Sequence, residues 1–279
     1  MNKNILEIID LNIYPKLNSK KKLVNSISFN VGRGKTTCIV GESGSGKSLT
    51  ALSIMQLLSS QLKFSGNIFF NGIDLSILDP ISIRKKRGKE IAMIFQEPMT
   101  SLNPVLTIGY QIEEAITVHN QLSQNERKAR VEELLGLVSI DPERINSYPD
   151  ELSGGQRQRV MIAMAMSCNP NLLIADEPTT ALDVTVQAQI LSLLADLKKK
   201  LKMSMLFITH DFGVVSDIAD DVIVMYQGRI VEQGAVKQVL NNPKHPYTRA
   251  LLDCVPDVSG KKLLKPIDYL KLERAMAKL

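Results

Sequence analysis

The sequence predicts an α/β fold in which a helical segment interrupts a largely parallel sheet. Short β-rich runs, among them Leu23–Val31 and Thr36–Val40, alternate with turn signals over the first 75 residues. From about residue 99 to residue 165 the pattern is helical, and strands return at Leu172–Ala175 and Met205–Ile208. Because these last two runs are continuously apolar, they predict strands of a parallel sheet that is covered on both faces.

Turn signals and helical periodicity define further elements. The run Asn67–Phe70 predicts a strand that enters a hairpin, because Asn71-Gly72 is a favoured pair for two-residue turns. Apolar positions recur at helical spacing in Ile112–Val118 and in Glu126–Val138. Val184–Leu201 predicts another helix, between the two buried strands. We therefore expect an α/β core with a helical insertion.

The composition is that of an ordinary globular protein. Of the 279 residues, 44% are hydrophobic and 23% are charged, which argues against disorder. No apolar run reaches the roughly 18 to 20 residues that span a bilayer. The longest candidate, around Val160–Ala175, is interrupted by polar residues and by Pro170. The first residues, Met1–Glu7, lack the apolar centre of a signal peptide, so the chain is expected to stay in the cytosol.

Charge and cysteine content favour some partners over others. The net charge is +5, and basic residues cluster at Lys20–Lys22, Arg84–Lys89 and Lys198–Lys200. Such clusters can contact nucleic acid or anionic lipid headgroups, but more often they are solvated surface. Aromatic residues make up 5% and tryptophan is absent, so base stacking has little support and no nucleic-acid partner is predicted. Cys38, Cys168 and Cys254 have no metal-ligand spacing and predict reduced, structural thiols.

A phosphate-binding pattern follows the predicted strand Thr36–Val40. Its residues, which we call the phosphate loop, are Gly41, Glu42, Ser43, Gly44, Ser45, Gly46, Lys47 and Ser48. The glycines allow backbone N–H groups to turn toward an anion, and a helix predicted at Leu49–Leu58 adds its positive end. Lys47 supplies charge for the β- and γ-phosphates, and Ser48 a hydroxyl ligand for Mg²⁺. The loop predicts nucleotide binding but leaves kinases, GTPases, helicases and transporter motors open.

Two carboxylates end the predicted strand Leu172–Ala175. Ligands of α/β sheets bind beyond the carboxyl ends of the strands, so Asp176 and Glu177 are expected to face the nucleotide. Asp176 is suited to hold Mg²⁺ through its water shell. Glu177 is suited to polarise the attacking water as a general base. An isolated acid pair would more often be solvated, but after a phosphate loop it predicts catalysis.

A third segment, Leu152-Ser153-Gly154-Gly155-Gln156, precedes a helix predicted through Arg157–Ala165. Ser153 is a good N-cap, and Gln156, three residues later, completes a capping box. A helix start with two glycines can also present N–H groups to a phosphate. The segment lies 24 residues before Asp176, which favours phosphate binding over capping alone.

The ordered set of motifs resembles that of ABC transporter ATP-binding domains, over about Ile5–Gly234. The phosphate loop is similar to the Walker A motif. Leu172–Glu177 resembles the Walker B motif, and Leu152–Gln156 resembles the ABC signature. Gln96, which follows Ile91–Phe95, is similar to the Q-loop glutamine, and Ala181-Leu182-Asp183 is similar to the D-loop. His210, which follows Met205–Thr209, resembles the switch histidine.

The resemblance implies a P-loop NTPase core with a mostly parallel sheet, an N-terminal antiparallel β subdomain and an inserted helical subdomain. It implies a nucleotide-binding domain over residues 1–242, with the insertion at about 97–167, and a C-terminal extension over 243–279. Two such domains would pair head to tail around two ATP molecules, each between the phosphate loop of one subunit and Ser153–Gln156 of the other.

Site roles follow from the same resemblance. Glu177 and His210 would be catalytic, and His210 would contact the γ-phosphate. Gln96 and Asp183 would join the phosphate loop and Ser153, Gly154, Gly155 and Gln156 as nucleotide-binding residues. The ligands of Mg²⁺ would be Ser48, Gln96 and Asp176.

Two stretches resemble oligopeptide and dipeptide importers in particular. They are Gln96-Glu97-Pro98-Met99-Thr100-Ser101-Leu102-Asn103-Pro104 and His245-Pro246-Tyr247-Thr248-Arg249-Ala250-Leu251-Leu252. The implied partners are two transmembrane permease subunits, a second ATPase subunit that is a paralogue or the same chain, and, indirectly, an extracytoplasmic substrate-binding protein. The implied location is peripheral, at the cytoplasmic face of the inner membrane.

Several alternatives remain open from the sequence. Nickel and metallophore importers share much of the pattern, and an exporter subunit or a soluble ABC ATPase acting on DNA or ribosomes is less favoured. Tyr14 either stacks on adenine or is an ordinary strand residue. No iron–sulfur cluster is predicted, because Cys254 stands alone near the end of the chain. Apolar residues at Ile267, Leu270, Leu272, Met276 and Leu279 predict a tail helix that packs on its own domain, or on a partner or membrane surface.

Overall fold

The computed structural model describes residues 3–96, 101–180 and 182–254, together with residues 268, 269, 272 and 276. The chain forms two compact units, which we call the first unit (residues 1–76 and 207–279) and the second unit (residues 77–206). The sequence predictions for residues 97–100, for Ala181 and for Ile267, Leu270 and Leu279 lie outside the described residues.

Strands and helices alternate along the described chain. The strands are β1 (Asn4–Pro15), β2 (Val24–Gly32), β3 (Thr36–Val40), β4 (Leu62–Phe70), β5 (Ile73–Asp74), β6 (Ile91–Ile94), β7 (Leu172–Asp176), β8 (Ser204–Thr209), β9 (Asp221–Tyr226) and β10 (Arg229–Ala235). The helices are α1 (Lys47–Ile54), α2 (Pro80–Lys86), α3 (Ile108–Thr117), α4 (Gln124–Leu137), α5 (Gly154–Ala165), α6 (Val184–Leu201), α7 (Phe212–Ile218), α8 (Val236–Asn241) and α9 (Pro246–Asp253).

The first unit contains an antiparallel sheet with the strand order β2-β1-β4-β5. Alternate residues of β1 are buried on either side of an irregularity between Ile8 and Leu11: Leu6 and Ile8 before it, and Leu11 and Ile13 after it. Asn71 and Gly72 both adopt positive φ, at 52° and 80°, which is the conformation of a two-residue hairpin turn. The predicted turn and the N-terminal antiparallel subdomain are therefore confirmed. Tyr14 lies half-buried in β1, opposite Lys63 of β4.

In a second, mostly parallel sheet, strand β3 precedes the phosphate loop and strand β7 ends at Asp176. In the first unit its order is β10-β9-β3-β8, with β3 parallel to β9 and β10 antiparallel to β9. In the second unit the order is β8-β7-β6, and β6 runs parallel to β7. Strand β8 crosses the division between the units. All positions of β7 and β8 are buried, which confirms the burial on both faces predicted from their continuous apolar runs. All positions of β3 are buried as well.

Helix boundaries differ from the predicted ones where capping decides them. Helix α1 ends at Ile54 rather than Leu58, because Gln56 turns into the left-handed region with φ at 49°. Helix α3 begins earlier than predicted, since the Thr107 hydroxyl accepts a hydrogen bond from the Tyr110 N–H at 3.3 Å. The prediction for α6 has the observed bounds.

Candidate nucleotide site

The phosphate loop continues directly from the carboxyl end of β3 into α1, in the first unit. Two of its glycines cannot be replaced without a clash. A Cβ at Gly41 would overlap the carbonyl oxygen of Met225, and one at Gly46 would lie 2.8 Å from a methyl group of Val24. Gly46 also has a φ of 100°, in the region that favours glycine. The loop backbone is thus packed closely against its neighbours, as a cradle for a ligand requires.

Two polar side chains of the loop, those of Ser45 and Lys47, are buried. Lys47 is only 4% exposed, and its Nζ donates hydrogen bonds to the carbonyl oxygens of Gly41 at 2.7 Å and Glu42 at 2.8 Å. The Ser45 hydroxyl is buried and has no hydrogen-bond partner among the described residues. Burying a hydroxyl group without a hydrogen-bond partner costs free energy. The unpartnered Ser45 hydroxyl is therefore consistent with a bound ligand that supplies the missing hydrogen bond. A buried ammonium, a buried hydroxyl and a helix start are a donor set that fits a phosphate chain.

The acid pair lies at the carboxyl end of β7, in the second unit, where Asp176 and Glu177 are 4% and 9% exposed. One oxygen of Glu177, Oε2, accepts hydrogen bonds from Gln96 Nε2 at 3.2 Å and from the Thr180 hydroxyl at 2.9 Å. Glu177 also has a φ of 47°, a strained value for a residue with a side chain. Backbone strain of this kind is concentrated at functional sites.

The signature segment begins α5, as predicted. Ser153 is the N-cap: its hydroxyl accepts a hydrogen bond from the Gln156 N–H at 3.3 Å, while the Gln156 side chain accepts from the Ser153 N–H at 3.0 Å. Both halves of the predicted capping box are therefore present. Gly154 is exposed and Gly155 is half-buried against Val186 of α6.

Three further predicted residues lie at the ends of strands or helices. Asp183 is exposed and caps α6, because its carboxylate accepts a hydrogen bond from the Val186 N–H at 2.8 Å. His210 is exposed and follows β8, in the first unit. Next to it the Asp211 N–H donates to the Thr209 hydroxyl at 3.0 Å, which fixes the chain where β8 passes into α7. Ser48, on the first turn of α1, is half-buried.

The structure thus joins predicted site residues into three local clusters. The first contains Lys47 with the carbonyl groups of its own loop, the second contains Gln96 with Glu177, and the third contains Ser153 with Gln156. The described residues contain no group of three or more His, Cys, Asp and Glu side chains arranged to hold a metal ion. Cys38, Cys168 and Cys254 form no disulfide bond in the part of the chain that the structure describes.

Sequence reasoning missed two contacts of these clusters. The Thr180 hydroxyl donates a hydrogen bond to the Glu177 carboxylate, three residues earlier in the chain. A turn between the two residues makes this contact possible, because the Thr180 N–H also donates to the Glu177 carbonyl oxygen at 3.1 Å. The short spacing is a local signal that could have indicated the contact. The phenol oxygen of Tyr247 accepts a hydrogen bond from the Glu42 N–H at 3.1 Å. No local pattern indicates this second contact, because 205 residues separate the two.

No helix of the part of the chain that the structure describes is both long and apolar enough to cross a membrane.

Two family models match the sequence. The ABC transporter model matches residues 24–180, more than half of the chain. The model described as the oligopeptide/dipeptide transporter C-terminal region matches residues 231–274.

Curated relatives are ATP-binding proteins of ABC and oligopeptide transporters. A probable peptide ABC transporter ATP-binding protein of Sinorhizobium fredii is 54% identical over 86% of this chain and 72% of its own length. The oligopeptide transport ATP-binding protein OppD of Bacillus subtilis is 50% identical over 94% of this chain and 75% of its own length.

Solved ATP-binding cassettes have the same fold. A dimeric cassette, MJ0796, bound to ADP and Pi has a TM-score of 0.73 at 28% identity, over 83% of this chain and 98% of that one. The cbiO1 protein of Clostridium perfringens, part of an ABC transporter complex, has a TM-score of 0.74 at 29% identity, over 86% and 92% of the two chains. The chain therefore belongs to the ABC transporter family, as an ATP-binding and ATP-hydrolysing subunit.

Proposed function

We propose that this chain is the ATPase subunit of an importer for di- or oligopeptides, in which ATP-driven closure of two ATPase subunits is coupled to membrane permeases. The observation that carries the substrate class is the match of residues 231–274 to the oligopeptide/dipeptide transporter C-terminal region. It lies in the same chain as the match to the ABC transporter model over residues 24–180. The similar proteins include a probable peptide transporter subunit and an oligopeptide transport protein, which supports the same substrate class.

The phosphate loop is proposed to bind the ATP phosphates. Lys47 would neutralise negative charge, and the buried Ser45 hydroxyl and the backbone N–H groups of the loop would donate to phosphate oxygens. Lys47 is only 4% exposed, which supports this role, because a desolvated ammonium attracts phosphate more strongly than a solvated one does. Ser153, Gly154, Gly155 and Gln156 are proposed to bind the ATP of a second subunit, and Asp183 is assigned to the same interface.

Glu177 is proposed as the general base that activates water. The hydrogen bonds from Gln96 and Thr180 support this role, because they direct the carboxylate and resist its rotation. His210 is proposed to contact the γ-phosphate. Its exposed position at the end of β8 leaves the imidazole accessible to a ligand.

Mg²⁺ is proposed to accompany ATP, with Ser48, Gln96 and Asp176 as candidate ligands. These side chains offer hydroxyl, amide and carboxylate oxygens, which are the ligands that Mg²⁺ prefers, and the ion usually keeps several waters besides. When bound, Mg²⁺ would supply charge that neutralises the phosphate oxygens. A site of this kind has few protein ligands, so it need not contain a cluster of three acidic or histidine side chains.

The domain boundaries and partners belong to the same proposal. Residues 1–242 would form the nucleotide-binding domain, with a helical insertion at about 97–167, and residues 243–279 the C-terminal extension. The partners would be two permease subunits and a second ATPase subunit, either a paralogue or a second copy, and indirectly an extracytoplasmic binding protein. The complex would hold the chain at the cytoplasmic face of the inner membrane.

Replacing Glu177 by glutamine tests the proposal. We expect ATP binding to persist while hydrolysis falls by about 10²- to 10⁴-fold, the usual contribution of a general base. In cells, uptake of a labelled dipeptide or oligopeptide should fall while nickel uptake stays unchanged. With hydrolysis blocked, the purified variant should also accumulate as an ATP-bound dimer, measured by light scattering.

The other outcomes of this experiment are informative. Near-normal hydrolysis by Glu177→Gln would exclude the general-base role. Selective loss of nickel uptake would move the substrate to the nickel and metallophore importers. Unchanged uptake of all three compounds, with hydrolysis abolished, would contradict an importer of either class and favour a soluble ATPase.

A further inference from the structure

The C-terminal extension reaches the phosphate loop through the side chain of Tyr247, on the first turn of α9. Tyr247 is fully buried, and its hydroxyl oxygen accepts a hydrogen bond from the backbone N–H of Glu42 at 3.1 Å. Both residues belong to the first unit. Glu42 is the second residue of the phosphate loop, so a side chain near the end of the sequence binds the backbone of the proposed ATP site.

The position of Tyr247 is set by a group of polar contacts that precede it. The Glu232 carboxylate accepts hydrogen bonds from the N–H groups of Lys244 at 2.8 Å and His245 at 3.0 Å. His245 in turn caps α9, because its Nδ1 accepts a hydrogen bond from the Tyr247 N–H at 3.2 Å. These contacts direct the start of α9, and with it the phenol ring, toward the loop.

The ring itself is held by a second aromatic side chain. Tyr226, at the end of β9, packs on Tyr247 with ring centroids 4.3 Å apart and an angle of 42° between the planes. Such tilted pairs stabilise one orientation of each ring. The Tyr247 hydroxyl therefore occupies a defined position, as a positioning group must.

A second tyrosine of the extension holds the side chain of the same loop residue. The Tyr269 hydroxyl donates a hydrogen bond to Glu42 Oε1 at 2.6 Å. That hydrogen bond to the carboxylate raises the pKa of Tyr269 to about 12, and burial raises the pKa of Tyr247 well above its ordinary value. Both phenols therefore stay protonated at neutral pH, and the extension binds Glu42 through its backbone and its carboxylate.

Glu42 connects these tyrosines to the lysine of the loop. Its carbonyl oxygen accepts a hydrogen bond from Lys47 Nζ at 2.8 Å and another from the Ser45 N–H at 3.2 Å. The peptide groups on both sides of Glu42 are thus fixed, one by Tyr247 and the other by Lys47 and Ser45. A shift of Glu42 would move the carbonyl oxygen that accepts hydrogen bonds from the Lys47 ammonium and from the Ser45 backbone N–H.

We infer that Tyr247 is a positioning residue for ATP binding: through Glu42 it holds the phosphate loop in the conformation that receives the phosphates, and Tyr269 adds a second contact. The inference rests on the proposed role of Gly41–Ser48 in binding ATP. It assigns the C-terminal extension an action on the ATP site of its own chain, in addition to any contact with partners.

Replacing Tyr247 by phenylalanine tests this inference in the full-length chain. The ring and its packing on Tyr226 remain, but the Glu42 N–H loses its acceptor. We expect the KM for ATP and the Kd of a fluorescent ATP analogue to rise about three- to tenfold, the effect of one hydrogen bond. The kcat at saturating ATP should change less than twofold, because bound ATP itself orders the loop. Tyr269→Phe should act in the same direction more weakly, since that side chain is exposed.

Two controls separate the possible results. Tyr110→Phe removes the hydroxyl of an exposed tyrosine in the second unit and should leave the KM for ATP unchanged. Lys47→Ala should abolish ATP binding; if it did not, the proposed function of the loop would be wrong. If Lys47→Ala abolishes binding while Tyr247→Phe only lowers the thermal midpoint and leaves KM and Kd as in the native chain, Tyr247 is merely structural and the inference is overturned.

Discussion

At the scale of single residues, Glu177 is constrained in both its backbone and its side chain. Its φ of 47° is costly for a residue with a Cβ, so the surrounding structure must impose it. Its Oε2 accepts hydrogen bonds from Gln96 and Thr180. The direction of the carboxylate is therefore determined by two other side chains, of which only Gln96 was predicted to belong to the site.

Replacing Thr180 by valine should lower kcat for ATP hydrolysis by about three- to tenfold, since it removes one hydrogen bond to the proposed base. The branched shape of the side chain is kept, and affinity for ATP should stay unchanged because Thr180 orients the carboxylate rather than the nucleotide. Steady-state ATPase assays with separate kcat and KM values measure this effect. Thr180→Ser retains the hydroxyl and is the matched control. A kcat in Thr180→Val equal to that of Thr180→Ser would exclude an orienting role for the hydroxyl.

At the scale of elements, the first turns of α5 and α6 pack closely because one of the two signature glycines faces the other helix. A Cβ at Gly155 would lie 2.6 Å from Cγ1 of Val186, whereas one at Gly154 would make only an ordinary contact with Leu182, at 3.8 Å. The two glycines are adjacent in sequence but differ in environment. Gly155 is therefore required by packing, while Gly154 is free to serve another purpose, such as the close approach of a ligand.

Gly155→Ala should lower the free energy of unfolding by about 1 to 3 kcal/mol, the usual cost of overpacking. Gly154→Ala should change it little, and it is the control for adding a methyl group at the same helix start. Urea denaturation followed by circular dichroism provides the measurement.

A second substitution makes this packing prediction more specific. Val186→Ala removes the methyl groups that the new Cβ would meet, so the double variant Gly155→Ala, Val186→Ala should recover most of the stability lost in Gly155→Ala. Equal losses in the single variants at positions 154 and 155, or no recovery in the double variant, would show that the Val186 contact is not the cause.

At the scale of the whole molecule, each unit contains a histidine whose pKa is lowered. Burial, together with the charge of Lys89, lowers the pKa of His119 in the second unit. Burial lowers the pKa of His245 in the first unit, and the nearby Glu232 carboxylate opposes this only in part. His245 also needs a neutral Nδ1 to accept the hydrogen bond that caps α9.

The chain should therefore lose stability as the pH falls below about 6.5, the ordinary histidine value. Both folded pKa values lie below the unfolded one, so the unfolded state binds protons first and the full stability is present only above that pH. Carboxylates with lowered pKa values, among them Asp74 and Glu126, lose their contribution only nearer pH 4. Urea midpoints at pH 7.5 and about 5.5 isolate the histidine effect.

The double variant His119→Asn, His245→Asn is the control for this pH dependence. Asparagine does not titrate, and at position 245 it keeps an N-cap acceptor. Its urea midpoint should change less between the two pH values than that of the native chain. A pH dependence as steep as in the native chain would assign the loss of stability to other groups.

Local signals were sufficient for most of the fold. Strand β3 and helix α6 have their predicted bounds, and the capping box of Ser153 and Gln156 is present, because burial patterns and caps depend on residues a few positions apart. The end of α1 was predicted four residues too late, since the residues after Ile54 are compatible with a helix and the turn at Gln56 is not encoded by a glycine or proline.

The sequence by itself determined the family, the order of the motifs and the residue types available for phosphate binding and hydrolysis. Only the tertiary structure decided which side chains hold the site residues in place. Gln96 hydrogen-bonds to Glu177, 81 residues away in the sequence, and Tyr247 hydrogen-bonds to Glu42, 205 residues away. The physical reason is that propensities, periodicity and capping act over a few residues, whereas hydrogen bonds between distant segments exist only after the sheet and α9 have packed.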